Sequence, residues 1–281
     1  MGVSLCGGAV EGLRRDRLAC QSGGDQVTRQ VALVTGARQG LGQGAAVSLA
    51  RRGFDLVLVD VVDDLSETVE LVEAEGAAVR VLTADLADVA GHSALVDAAW
   101  DAFGRVDCLV NNAGLAMRPL TDLLDITPEA YDRVVDVNQR GTFFLTQAVA
   151  KRMIAAGGDG GHRSIITVSS IAARMVSTLR SPYNLSKTAL SMMTELFAVR
   201  LAEEGIAAYE VRPGYMRTAM TASAVPEELT RSIEAGRVPA RRWGTPDDVG
   251  QTIATLAAGE LPFSTGQAIW IDGGLHMHQA D

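Results

Sequence analysis

Lysine is nearly missing from this chain, which makes the two lysines that remain informative. Of the 25 basic residues among 281, only Lys151 and Lys187 are lysines, and the other 23 are arginines. The formal net charge is −9 and the isoelectric point is about 5.0. This acidic balance argues against a dominant nucleic-acid-binding surface, so we expect no nucleic-acid partner.

Cysteines and long apolar runs are also scarce. The three cysteines, Cys6, Cys20 and Cys108, are odd in number and widely spaced, so neither a disulfide framework nor a zinc site is indicated. Cys108, in the run VDCLV, is expected to be a buried small hydrophobe. No apolar run reaches the roughly 18 residues that a membrane-spanning helix needs. We expect a cytoplasmic protein with no metal and no membrane partner.

The first 28 residues differ in character from the rest of the chain. They are rich in glycine and carry no apolar core of the kind a signal peptide needs. We predict a flexible N-terminal extension for 1–28 and a single domain for 29–281. An alternative is that the extension is a start-site artefact, because Val27 is compatible with a misread alternative start codon.

Short β-branched runs alternate with longer helical patterns from residue 30 onward. Several of the runs are continuously apolar, as expected for strands that are covered on both faces. Alternation of this kind predicts one α/β domain, a doubly wound and mostly parallel sheet with helices on both faces. Its seven predicted strands are 31–35, 55–59, 78–82, 107–110, 164–168, 207–211 and 268–271.

A glycine-rich turn follows the first predicted strand and leads into a helix. Its glycines are Gly36, Gly40 and Gly42, within TGARQGLG. A strand, a glycine turn and a helix start together place backbone N–H groups and the positive helix end against a pyrophosphate. The alternative is a plain tight turn, but the position at the first strand–helix junction favours a dinucleotide site.

Asp60 ends the second predicted strand and indicates which dinucleotide is bound. An acidic side chain there accepts hydrogen bonds from both ribose hydroxyls and repels a 2′-phosphate, so NAD is expected rather than NADP. Arg38, in the glycine turn, complicates this expectation. It could pair with a 2′-phosphate, pair with Asp60, or lie on the adenine.

Polar residues also follow the third and fourth predicted strands. Asp85 and Leu86 follow the third, and NNAG (111–114) follows the fourth. Ligands of open parallel sheets bind at the carboxyl ends of the strands, so both groups are expected on the cofactor side. The small Ala113 and Gly114 would let a ribose approach the backbone closely.

Tyr183 precedes Lys187 by four residues. On a helix this spacing places both side chains on one face. Tyrosine has a reference pKa near 10, and a neighbouring cation favours the phenolate and lowers that pKa. The pair is therefore predicted to be an acid/base centre. The alternative is a surface tyrosine stacked on a lysine stem.

These motifs, taken together, resemble the short-chain dehydrogenase/reductase family. The resemblance rests on T-G-x-x-x-G-x-G (35–42), NNAG (111–114), VSSIAA, Y-x-x-x-K, RPGYMRT (212–218) and STGQAIWIDGG (264–274). It covers roughly residues 29–274 and is closest to the 3-ketoacyl-ACP-reductase-like members. It implies a Rossmann-type fold and an NAD(P)-dependent oxidoreductase that interconverts a secondary alcohol and a ketone.

The resemblance also implies roles for individual residues. Tyr183 is the acid/base, and Lys187 bonds the nicotinamide ribose and supports the phenolate. Ser170 holds the substrate oxygen, with Ser169 as its rival. Asn138 anchors a water that connects to Lys187; the alternative, an interior asparagine bonded to a backbone carbonyl, is compatible with that role. The remaining cofactor contacts are expected at Gly36, Arg38, Gln39, Gly40, Leu41, Gly42, Asp60, Asp85, Leu86, Asn112, Ala113, Gly114, Pro213, Gly214, Met216 and Thr218.

Substrate shape is expected to depend on three segments, 115–125, 171–182 and 219–244. The last resembles the family's substrate lid and contains Met220, Ala222, Val225 and Leu229. A small or medium alcohol or ketone is expected, and the resemblance implies a homotetramer or homodimer. One alternative is a 3-ketoacyl-ACP or acyl thioester reductase that uses NADPH, which Asp60 and the acidic charge disfavour. Another is a non-catalytic dinucleotide sensor.

Overall fold

The computed structural model describes residues 29–218 and 226–277. Cys6, Cys20, the extension 1–28 and the lid residues Met220, Ala222 and Val225 lie outside this part. Seven strands form one sheet in the order β3-β2-β1-β4-β5-β6-β7, and every pairing is parallel. The strands are β1 Val31–Thr35, β2 Asp55–Asp60, β3 Val79–Thr83, β4 Cys108–Asn111, β5 Arg163–Val168, β6 Ile206–Pro213 and β7 Ala268–Ile271. The predicted doubly wound sheet is confirmed, with strand bounds shifted by one or two residues.

The helices cover both faces of this sheet. They are α1 Gly40–Arg51, α2 Ser66–Ala74, α3 His92–Phe103, α4 Pro128–Val135, α5 Thr142–Ala156, α6 Ser181–Leu201, α7 Glu227–Ser232 and α8 Pro246–Ala257. One apolar cluster joins α1, α2 and α8 to one face of the sheet. A second joins α3, α5 and the end of α6 to the other face. Cys108 is fully buried within the first cluster, as expected.

Two helix starts follow the threonine–proline pattern of the sequence. The side chain of Thr127 accepts a hydrogen bond from the amide of Ala130 at the start of α4 (3.3 Å). At the start of α8, Thr245 accepts from the amide of Asp248 (3.2 Å), and the Asp248 carboxylate accepts from the amide of Thr245 (2.8 Å). This reciprocal cap satisfies two backbone donors that the helix itself leaves unpaired.

The strand order changes direction between β1 and β4. The chain runs outward from β1 through β2 to β3, then returns to β4 and continues to β7 on the other side. The loops after β1 and β4 therefore part on opposite faces of the sheet and leave a crevice at the carboxyl ends of the strands. Among the described helices, none is long and apolar enough to cross a membrane.

Candidate active site

A cleft of about 1140 Å³ lies at this crevice. Most of the residues singled out in the sequence line it. They are Gly36, Gln39, Gly40, Leu41, Asp60, Asp85, Leu86, Asn112, Ala113, Gly114, Ser170, Tyr183, Lys187, Pro213, Gly214, Met216 and Thr218. Arg38, Gly42 and Asn138 are not in the cleft wall, and each has a different structural position.

The glycine turn after β1 packs directly on the loop after β4. Gly36 has φ of +64°, and a Cβ there would lie 2.8 Å from the Cα of Ala113. A Cβ at Gly42 would overlap the carbonyl oxygen of Gly36, so Gly42 is a packing residue rather than a ligand contact. Only glycine permits these backbones to approach so closely. The glycine turn therefore forms a shallow cradle of backbone atoms beside the cleft, and such a turn at a strand–helix junction fits the pyrophosphate of a dinucleotide.

Asn112 ties the same two loops together. Its side-chain amide donates to the carbonyl oxygens of Thr35 and Gly36, both at 3.0 Å. The hydroxyl of Thr35 in turn accepts from the amides of Asn112 and Ala113, both at 3.1 Å. The Asn112 side chain therefore shapes the cradle, and its amide donors are already engaged within the protein.

Asp60 and Arg38 interact through the backbone of Arg38. The Asp60 carboxylate accepts from the Arg38 amide at 3.1 Å. In the described part of the chain, no ion pair joins the Arg38 guanidinium to Asp60. The side chain of Arg38 is exposed. The Asp60 carboxylate thus lies at the edge of the glycine cradle, and the hydrogen bond from the Arg38 amide fixes its position.

Tyr183 and Lys187 lie one turn apart on α6, and both face the cleft. The Lys187 ammonium donates to the carbonyl of Val168 at 2.9 Å and lies 5.7 Å from the centroid of the Tyr183 ring. Burial lowers the pKa of Lys187 to about 8, opposed by the charge of Glu210. The surface stack considered from the sequence is therefore wrong, because Lys187 is buried.

The pKa of Tyr183 differs in direction from the one the sequence suggested. Burial raises it above the usual value for a phenol, while the Ser170 hydroxyl and the positive charge of Arg180 act to lower it. Lys187 is not among these causes. Desolvation of the phenolate outweighs the nearby positive charges, and the Lys187 ammonium points to the Val168 carbonyl.

The structure separates Ser170 from Ser169. Ser170 begins the short 3₁₀ turn Ile171–Ala173, and its hydroxyl accepts from the Ala172 amide at 3.1 Å. The Ser169 hydroxyl instead donates to the buried carboxylate of Glu210. The hydroxyl of Ser170 acts on the phenol of Tyr183, whereas that of Ser169 is committed to the protein interior.

A buried ion pair beneath the two serines was not foreseen from the sequence. Arg212 donates to the Glu210 carboxylate through Nε (2.7 Å) and Nη2 (2.8 Å), and both side chains are almost fully buried. Ser191 on α6 donates to the same carboxylate at 2.9 Å. The sequence did contain a signal for this ion pair. In YEVRP the opposite charges of Glu210 and Arg212 are two residues apart, and alternate residues of a strand share a face.

Asn138 lies in a π-helical turn, Asp136–Gly141, between α4 and α5. It is fully buried, and its amide group donates to the Leu115 carbonyl (2.9 Å) and accepts from the Leu115 amide (2.6 Å). A third hydrogen bond is donated to the hydroxyl of Ser186 at 3.2 Å. The alternative of an interior asparagine bonded to a backbone carbonyl is confirmed. Asn138 fixes the loop after β4 against α6, where Lys187 lies.

Comparison with known proteins identifies the family. The family described as enoyl-(acyl carrier protein) reductase matches residues 36–276, and the chain belongs to the short-chain dehydrogenase/reductase family of oxidoreductases. A 2-dehydro-3-deoxy-D-gluconate 5-dehydrogenase of Dickeya dadantii is 38% identical over 245 residues, covering 87% of this chain and 94% of that protein.

Solved structures show the same relationship. The 3-oxoacyl-[acyl-carrier protein] reductase of Brucella melitensis, in complex with NAD, is 46% identical with a TM-score of 0.86, and the match covers 89% of this chain and 98% of that one. A structure from Agrobacterium tumefaciens with bound NADP is 30% identical with a TM-score of 0.79, covering 88% and 96%. Similar proteins thus differ in both substrate and dinucleotide.

Proposed function

We propose that this protein is an NAD(H)-dependent oxidoreductase that interconverts a secondary alcohol and a ketone. The observation that carries the proposal is the convergence of Ser170, Tyr183 and Lys187 on the cleft that contains the glycine cradle. A phenol, a hydroxyl and an ammonium at one point supply proton transfer and polar anchoring.

The bound dinucleotide supplies the hydride acceptor or donor. Tyr183 takes the hydroxyl proton of the alcohol at its phenolic oxygen during oxidation and returns it during reduction. Ser170 holds the substrate oxygen beside that phenol. Lys187 supplies the compact positive charge that favours the phenolate as it forms. Asn138 positions the Leu115 backbone, and the water link to Lys187 stays a prediction.

Different residues of this chain are proposed to contact different parts of the dinucleotide. The turn containing Gly36, Gln39, Gly40 and Leu41 holds the pyrophosphate, at the start of a helix whose first residue receives no side-chain cap. Asp85 and Leu86 face the adenine. The nicotinamide end is held by Ala113 and Gly114 on one strand end and by Pro213, Gly214, Met216 and Thr218 on another. Arg38 borders the adenosine from the exposed side.

NAD is proposed as the preferred dinucleotide. The Asp60 carboxylate, held by the Arg38 amide, stands where ribose hydroxyls would donate to it and where a 2′-phosphate would meet like charge. Arg38, the only guanidinium in the glycine turn 36–42, is the group that would favour NADP. The 46%-identical Brucella structure contains NAD, which supports the same preference.

A second candidate function is the reduction of a 3-ketoacyl thioester. It is favoured by the name of the Brucella relative, which is 46% identical to this chain. The net charge of −9 counts against it, because an acidic carrier protein requires a basic docking surface. The relative named for 2-dehydro-3-deoxy-D-gluconate favours instead a hydroxylated, non-thioester substrate.

A homotetramer or homodimer is proposed on the evidence of an apolar stripe on α6. Leu185, Met192, Leu196 and Val199 are 53%, 56%, 57% and 81% exposed and recur at helical spacing. Phe144 on α5 is 37% exposed. An unpartnered apolar face of this kind is typical of an interface between copies. Leu196→Arg is expected to shift the mass measured by light scattering toward that of a smaller species.

The proposed function is tested with a panel of secondary alcohols, polyols, hydroxy acids and a 3-ketoacyl thioester, each with NAD and NADP. We expect turnover of non-thioester alcohols with NAD, and a loss of about 10³-fold in kcat for Tyr183→Phe. Tyr131→Phe, on the exposed face of α4, is the matched control and should retain activity. Turnover confined to the thioester with NADPH, or full activity of Tyr183→Phe, would contradict the proposal.

A further inference from the structure

Two arginines line the substrate end of the cleft, and neither was singled out in the sequence. Arg180 precedes α6 and lies three residues before Tyr183, and Arg118 lies in the segment after NNAG. The positive charge of Arg180 acts on the phenol of Tyr183. The guanidinium of Arg180 is thus within electrostatic range of the phenol where proton transfer is proposed.

The backbone holds the segments carrying these arginines side by side. The amide of Thr121 donates to the carbonyl of Leu179 at 3.2 Å, which joins the 115–125 segment to the residue before Arg180. The carbonyl of Arg180 accepts from the amide of Asn184 at 3.0 Å. The Asn184 side chain donates to the carbonyls of Ala172 (2.8 Å) and Met175 (2.7 Å). The backbone around Arg180 is therefore held by hydrogen bonds from the 115–125 segment on one side and from Asn184 on the other.

The described residues supply no counter-ion to these two guanidiniums. Within the described ranges, neither Arg118 nor Arg180 forms an ion pair within 4.0 Å. Carboxylates in the described wall of the cleft come from Asp60, Asp85 and Asp136 alone, at the ends of β2 and β3 and just after α4. Arg133 on α4 also lines the cleft and likewise forms no ion pair within the described ranges.

The cleft is therefore asymmetric in charge. Asp60 and Asp85 line the end where the adenosine of the dinucleotide is proposed to bind, whereas Arg118 and Arg180 line the end that contains Ser170 and Tyr183. Both side chains are exposed, and a guanidinium that lines a cleft without an ion-pair partner favours an anionic ligand. A carboxylate matches it best, because two parallel N–H donors meet two carboxylate oxygens.

We propose that Arg180, assisted by Arg118, binds a carboxylate of the substrate, so that the physiological substrate is a small hydroxy acid or its keto acid. This inference rests on the proposed function and narrows its substrate class. The carboxylate lies at the Arg180 side of the reacting carbon, and its binding directs the neighbouring hydroxyl to Ser170 and Tyr183. A neutral alcohol of the same skeleton lacks this anchor.

The test compares acids with neutral alcohols of matched skeleton. The pairs are D-gluconate with D-glucitol, and 3-hydroxybutanoate with butane-1,3-diol, each assayed with NAD. We expect kcat/KM for an accepted acid to exceed that for its neutral partner by about 100-fold, since a bidentate charged contact is lost in the latter. Arg180→Gln should remove most of this ratio by lowering kcat/KM for the acid alone. Arg118→Gln should have a smaller effect, of about 10-fold.

Two variants and one further readout make the test specific. Arg180→Lys keeps the charge and should recover part of the acid preference. Arg174→Gln changes an exposed arginine of the same segment that does not line the cleft, and should leave the ratio unchanged. NADH affinity, measured by fluorescence, should be the same in the wild type and in all four variants.

Failure of the inference is distinguishable from failure of the proposed function. Efficient oxidation of neutral alcohols, with an acid ratio unaltered in Arg180→Gln, would overturn the carboxylate inference and leave the oxidoreductase function standing. Absence of turnover on every acid, alcohol and ketone, despite normal NADH binding, would overturn both. An equal loss on acid and neutral partner in Arg180→Gln would show a role in folding or in supporting Tyr183, and would also overturn the inference.

Discussion

The two ends of the cleft differ in whether backbone or side-chain atoms form their walls. At the dinucleotide end the walls are backbone: Gly36 and Gly42 let the turn after β1 contact the loop after β4, and Asn112 bonds that turn through its carbonyls. At the catalytic end the walls include the side chains of Ser170, Tyr183 and Lys187, and the buried Glu210–Arg212 ion pair lies behind them.

This difference shows which property each end requires. A backbone cradle offers amide groups whose positions are set by close packing, so its residues must be small. A catalytic end requires charged groups that are shielded from water. Electrostatic interactions are stronger there, but the cost of desolvating each charge must be offset by an ion-pair or hydrogen-bond partner. The Glu210–Arg212 pair is one such compensation, since it supports Ser169 and lies near Lys187. Variants at each end of the cleft test this difference.

Lys187→Arg keeps a positive charge at the catalytic end and should still lower kcat by about 10³-fold. The reason is space: the ammonium is buried, donates to Val168, and would lie 3.5 Å from a Cβ placed on Gly114. A planar guanidinium does not fit there. Lys187→Met, which has similar volume and no charge, is the control, and circular dichroism checks that both variants fold. Near-normal turnover of Lys187→Arg would contradict this account.

Glu210→Gln should cause the largest loss of stability at the catalytic end. It leaves Arg212 charged and buried, which costs about 3 kcal/mol in the free energy of unfolding measured with denaturant. Glu204→Gln breaks the exposed Arg200–Glu204 pair and should cost less than about 0.5 kcal/mol. Equal losses in the two variants would show that burial does not distinguish the pairs.

Gly42→Ala tests the dinucleotide end. The added methyl group overlaps the Gly36 carbonyl, and we expect an overpacking cost of about 1–3 kcal/mol together with weaker NADH binding in a fluorescence titration. Gly158→Ala, where the new methyl group meets only the flexible end of Arg163 at 3.3 Å, is the matched control. Unchanged NADH affinity in Gly42→Ala would show that the close approach is not needed for binding.

Asp60→Asn should change cofactor preference without harming catalysis. Removing the negative charge relieves repulsion of a 2′-phosphate, so the ratio of kcat/KM with NAD to that with NADP should fall about 10-fold. Asp64→Asn is the control, because Asp64 is exposed and accepts from Ser66 beyond the strand end. An unaltered ratio would assign cofactor choice to Arg38 instead.

Lys187 should also leave a small signature in the pH dependence of stability. Its pKa is about 8 in the folded protein, against 10.5 when exposed. Above pH 8 the unfolded chain therefore binds more protons, and the burial penalty declines as pH rises. Between pH 7 and 9 the wild type should gain about 1 kcal/mol relative to Lys187→Met. A constant difference between the two proteins would contradict the lowered pKa.

Local patterns were sufficient for much of the architecture. The seven predicted runs became the seven strands; the central ones are buried on both faces, and such a run has few other stable arrangements. The helix starts at Thr127 and Thr245 depend on contacts three residues apart, and the spacing of Tyr183 and Lys187 needed only a helix to bring them together.

The sequence by itself therefore determined the parallel sheet, the place of the glycine turn and the residues that meet at the catalytic end. Only the tertiary structure decided between Ser169 and Ser170, joined Asn138 to Leu115, bonded Asp60 to the Arg38 amide, and placed Arg180 beside Tyr183. It also reversed the expected direction of the Tyr183 pKa. These outcomes depend on burial and on contacts between distant segments, and neither is encoded in the spacing of residues along the chain.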